Sequence, residues 1–185
     1  GFSTLRSGTY RLRVTSSGSK TDVRLDVPTV EIPSTGVLSL VLTENTGGVL
    51  VSAVLLPQQG TPILYANTLV RIRGAAGLTS GSLLTMTVDG VEIATRRSAR
   101  NYIGDAYTTH ASGAVPVVVY VDGVAVASGI VTLQPGRDYT LLAWDAGTTI
   151  QISVIADDNR VSVTHKAKLR LLNAMSGTVV PLSLS

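Results

Sequence analysis

Apolar and polar residues alternate almost one by one along this chain, and a period of two suits strands and little else. "YRLRV" (10–14), "VLSLVL" (37–42), "LVRIR" (69–73), "LLTMTV" (83–88) and "IQISVI" (150–155) carry the pattern, and "VPVVVYV" (115–121) is an almost unbroken apolar run. Nowhere does an i, i+3, i+4, i+7 stripe persist for three turns, so no helix is expected. Val, Leu, Thr and Gly dominate while helix-favouring Lys and Glu are few. With 44% hydrophobic and only 15% charged residues, the chain has apolar material for a core and lacks the composition of a disordered protein.

Turn signals separate these runs. Asp89–Gly90 and Asp122–Gly123 each lie between alternating stretches. A type I′ turn needs positive φ at both central residues, which Asp-Gly tolerates, and its twist matches that of the flanking strands. Many short strands joined this way predict an all-β fold of the sandwich kind.

The chain also repeats itself at an offset of about 100 residues, far longer than the repeat of a solenoid. "VEIPSTGVLSLVLTENTGGVLVSAVL" (30–55) matches "VTLQPGRDYTLLAWDAGTTIQISVI" (131–155), and "LVRIRGAAG" (69–77) matches "KLRLLNAMSG" (168–177) with Arg71 against Arg170. Residues 66–165 read as one complete β-sandwich module, B. Residues 1–65 read as the later part of a second module, A. Residues 166–185 read as its opening strands, with "PLSLS" standing against "LTMT". The expected assembly strand carries Leu169, Leu171, Leu172, Val179, Val180, Leu182 and Leu184. It is expected to complete residues 1–65 of another copy, or else to fold back on its own.

The succession "LVRIRGAAG … VYVDGVAVASGIVTLQPGRDYTLLAW … IADDN", restarting at "KLRLLNAMSG", resembles the bacterial cell-surface family catalogued as domain of unknown function 4397. The resemblance implies tandem immunoglobulin-like modules in exported or surface proteins, with no catalytic residues to carry over.

Sites for chemistry are sparse. His110 and His165 each lack a second His or a Cys nearby, and zinc needs three or four such ligands. Asp105, His110 and Ser112 are the right residue types for a triad, but a triad is a spatial arrangement that needs an oriented base and an oxyanion hole. Asp157, Asp158 and Asn159 supply three side chains without the alternate spacing of a Ca²⁺ loop. No catalytic residue, metal or cofactor is expected. Trp144 is expected in a core; Tyr102 and Tyr107 are the candidates for an exposed contact. Net charge is +3, carried mostly by single arginines; only Arg96, Arg97 and Arg100 cluster, with no Phe or Trp beside them. Nucleic-acid binding is therefore not expected, and "RRSAR" reads as an exposed loop or fraying hairpin end. No apolar run approaches the ~20 residues of a membrane helix.

Taken together the sequence predicts a structural subunit of an extracellular or cell-surface bacterial assembly, in mature form. Its partners would be other copies of itself, linked head-to-tail by strand complementation. The alternatives are an adhesin or ligand-binding module pair, or a piece of a longer tandem array.

Overall fold

Asp89 and Gly90 have φ of 49° and 75°, and Asp122 and Gly123 have 50° and 86°, the left-handed pairs that two-residue hairpins require. These turns belong to a computed structural model that describes residues 3–104, 106–170, 172 and 174. The described residues form fourteen strands and no helix. The first five are β1 (Gly8–Ser16), β2 (Ser19–Ile32), β3 (Leu38–Glu44), β4 (Val51–Pro57) and β5 (Ile63–Tyr65). Nine follow: β6 (Leu69–Gly77), β7 (Leu83–Val88), β8 (Val91–Ser98), β9 (Tyr102–Ile103), β10 (Thr108–Ala111), β11 (Gly113–Val121), β12 (Val124–Leu133), β13 (Asp138–Ala146) and β14 (Thr149–Asp157).

Strands β6 to β14 make two sheets, ordered β12-β11-β7-β8 and β10-β6-β13-β14, with β9 also on β6. Alternate residues of each sheet meet in one core. Val70, Ile72, Leu141 and Ala143 come from one side and Leu84, Met86, Val117 and Val119 from the other, all fully buried. Every ladder is antiparallel except that of β6 with β13, which runs parallel from Arg71 opposite Asp138 to Gly77 opposite Trp144. Trp144 sits on the outer face of this sheet rather than in the core, half-buried, its indole N–H donating to Ser153 Oγ at 2.9 Å.

Strands β1 to β5 make two smaller sheets, β1-β2 and β3-β4-β5. They have a separate cluster of Leu25, Val27, Val30, Ala53 and Leu55. Their pairing echoes that of the later strands. Gly8 opens β1 with positive φ and faces Ile32, as Gly113 opens β11 with positive φ and faces Leu133. The hairpin of β3 and β4 pairs Leu40 with Leu55, and that of β13 and β14 pairs Leu141 with Val154.

A buried polar junction ties the two groups of strands together. Asn67 donates its Nδ2 to the carbonyls of Arg24 (2.7 Å) and Val51 (2.6 Å), and its Oδ1 accepts from the Leu69 amide at 2.8 Å. Beside it, Arg71 Nη1 lies 3.0 Å from Asp138 Oδ2, which also accepts from Asn159 Nδ2 at 2.7 Å. A Cβ on Gly48 would come within 2.8 Å of Asp138 Oδ1, so this loop approaches only because it carries glycine. Burial pushes the Asp138 carboxyl upward in pKa, outweighing the help of Asn159 and Arg71. Asp138→Ala should then cost about 3–5 kcal/mol in urea unfolding, because it strands the Arg71 guanidinium without a charge partner.

Candidate functional site

The most uneven feature of the surface is β3. It occupies the hairpin position that β13 occupies later in the chain, yet β13 is the centre of its sheet and β3 is an edge. Leu38, Leu40 and Leu42 share a face with Ala53 and Leu55, just as Tyr139, Leu141 and Ala143 face the larger core. Leu141 and Ala143 are 0% exposed, whereas Leu40 is 42% and Leu42 47% exposed. Val41, on the other face, is also exposed. Natural sheets blunt open edges with Lys or Pro, and β3 contains neither. Strand β1 is likewise unpaired on its outer edge among the described residues, where β11 at the matching position takes β7.

Next to β3 lies a cleft of about 630 Å³ between residues 3–7 and 32–38. Residues 3–6 stand just before Gly8 as β10 stands before Gly113, but they form no strand. In the larger sandwich the space between the matching elements is filled by β6, which β10 and β13 flank. Leu5, on the wall of the cleft, is exposed.

The segment matching β6 is placed elsewhere. Lys166–Arg170, Leu172 and Ala174 are not in strand. Leu171, Val179, Val180, Leu182 and Leu184 lie outside the described residues. Lys168 Nζ lies 2.9 Å from Asp158 Oδ2, and Arg170 lies 3.2 Å from Asp157 Oδ1 and donates to the Ala156 carbonyl at 2.8 Å. Ala174 rests against Gly77. Together these hold residues 168–170, 172 and 174 over the outer face of β6 and β13, across a cleft of about 580 Å³. Leu169 and Leu172 remain largely exposed.

The other candidate residues scatter. Arg96 and Arg97 occupy the last turns of edge strand β8, Arg96 with φ of 48°, and Arg100 follows it; all three are exposed. His110 is half-buried, its Nε2 2.8 Å from Thr108 Oγ1, and burial lowers its pKa; Asp105, the acid of the triad reading, lies outside the described residues. His165 is exposed. Among the described residues no three His, Cys, Asp or Glu side chains are grouped to hold a metal. Tyr107 is not a free contact residue. Its ring lies 4.7 Å from the guanidinium of Arg71 and 4.9 Å from that of Arg73, and its hydroxyl donates to Asp157 Oδ2 at 2.8 Å. Tyr102 packs against the larger core. Sequence reasoning missed Asn67, Asp138 and the Tyr107 stack, which involve residues far apart in the chain with no local pattern.

No protein-family model matches this chain, and no curated protein matches it.

Hydrogen bonds from Arg160 and then Lys168 hold the Asp158 carboxyl well below the usual carboxylate range. A depressed acid keeps its stabilising pair above its unfolded pKa and loses it only as pH falls through the folded value. The Lys168–Asp158 pair should thus persist from about pH 8 to about pH 4, whereas ~1 M salt, with a Debye length of roughly 3 Å, should loosen it. Amide NMR shifts of Lys168 across both series would register the difference.

Proposed function

We propose that this protein is a structural subunit of an extracellular bacterial assembly, with copies joined head-to-tail by strand complementation. Residues 168–185 of one copy complete the sheets begun by residues 3–65 of another. The observation that carries this reading is the exposure of β3 beside the burial of its counterpart β13. A fully buried leucine contributes roughly 1.5–3 kcal/mol, so Leu40 and Leu42, each nearly half exposed, leave a substantial part of that unrealised. Exposed main-chain groups along the same edge favour addition of a strand, and the donor aligns with β6, with Arg170 against Arg71 and alternating apolar residues around it. Such a contact joins two different surfaces, so it propagates into rings or open filaments rather than closing as a two-fold dimer.

The resemblance to a bacterial surface family of tandem immunoglobulin-like modules supports the extracellular placement and the modular reading of residues 1–65 and 66–165.

Analytical ultracentrifugation tests the reading directly. The full chain should form high-mass species that survive dilution, and a chain ending at residue 167 should sediment as a monomer that keeps the β6–β14 core folded. A full chain that is monomeric at every concentration, or a truncated one that assembles equally well, overturns it.

A further inference from the structure

We infer the pairing that joins two copies: residues 168–176 of one copy enter the next as a strand parallel to β3, between β3 and residues 3–6, with Arg170 opposite Val37 and Ser39 opposite Leu172. This rests on the proposed function and adds the direction, the register and the two flanking elements.

The direction comes from β6. It runs parallel to β13, with Ile72 opposite Tyr139, and antiparallel to β10, with Ile72 opposite Thr108. Three equivalences transfer that arrangement. Leu38 stands for Tyr139, because Leu38, Leu40 and Leu42 share the core face as Tyr139, Leu141 and Ala143 do. Ser3 stands for Thr108, because Gly8 and Gly113 open matching hairpins. Leu171 stands for Ile72, because Arg170 matches Arg71. Only one register satisfies all three, and it places Leu171 beside Leu38 and also beside Ser3. Where that strand would begin, beside Val37 and Leu38, the cleft between residues 3–7 and 32–38 is already open.

The faces agree as well. Val70 and Ile72 point into the larger core while Arg71 and Arg73 do not. In the inferred strand Leu169 and Leu171 therefore turn inward and Leu172 outward. One contact is not reproduced. Val37 stands where Asp138 does, so the joint lacks the buried Arg71–Asp138 pair. Main-chain bonds and leucine burial hold it instead, and once formed it should resist salt that loosens the Lys168–Asp158 contact.

The occupant is a second copy, as the proposed function has it, and in every copy the segment first rests elsewhere. Lys168 and Arg170 hold Asp158 and Asp157, and Ala174 rests on Gly77, while the cleft of the same chain stays open. The segment cannot make both sets of contacts, so joining two copies requires it to leave the outer face of β6 and β13.

The chain has no cysteine, which makes disulfide trapping clean. Full-length chains carrying Ser39→Cys and Leu172→Cys together are compared with chains carrying Val41→Cys and Leu172→Cys. Both use outward-facing positions, and circular dichroism checks that each variant folds. The first pair sits opposite in the inferred register. The second is displaced by two residues to roughly 8 Å, beyond the ~7 Å that a disulfide spans. Under mild oxidation the first should give a ladder of covalent oligomers on non-reducing gels, at least about tenfold faster than the second, and mixed single variants should give heterodimers. A faster second pair overturns the register. Covalently closed monomers without a ladder overturn the second-copy occupant. If neither pair crosslinks while the unmodified chain assembles in a way that needs residues 168–185, the pairing is wrong and the strand-complementation reading stands. If the unmodified chain does not assemble, that reading itself has failed.

Discussion

The parallel ladder between β6 and β13 is the contact on which the larger sandwich depends. Residues 71–77 reach residues 138–144 across the intervening strands β7 to β12, and both strands are central in their sheet. With β6 in place, Leu141 and Ala143 lose all contact with water and β10 gains a neighbour to pair with. Parallel pairing of distant segments costs loop entropy before it yields anything. It is recovered here through a core shared by both sheets.

The first five strands pair in a similar way but have no such ladder among the described residues. The hairpin of β3 and β4 forms, its leucines face the right way, and a cluster gathers around Leu25, Val27 and Leu55. Yet β3 ends as a bare edge, and residues 3–6 find no strand to join. In the larger sandwich β6 separates β10 from β13, and the described residues place no strand at the corresponding position beside β3. A cleft lies between residues 3–7 and 32–38.

Between the two groups of strands the structure relies on polar groups rather than on a continuous core. Asn67 bonds to main-chain groups on both sides, and Asp138 is closed in by Arg71, Asn159 and the glycine of the neighbouring loop. Buried polar groups are costly unless paired, and their directional bonds admit few orientations. Such a junction holds β1–β5 in a defined relation to β6.

The sequence by itself determined strands over helices and the two Asp-Gly hairpins, and it aligned residues 30–55 with 131–155, each of which contains an antiparallel hairpin. Alternation encodes which face of a strand is apolar, and turn residues encode local φ; both are properties of neighbours in the chain. Whether an edge is covered depends on a strand far away, so the sequence could mark Leu40 and Leu141 as the same kind of residue but not say that one is exposed and the other sealed. Trp144 illustrates the same limit, since an apolar run did not reveal that its indole faces outward to Ser153. Only the tertiary structure decided that Tyr107 lies between two arginines, that Asn67 and Asp138 build the junction, and that Lys168 and Arg170 rest on Asp158 and Asp157. Each of these depends on charges and hydrogen-bonding groups brought together by strand pairing, and no pattern of period two carries that information.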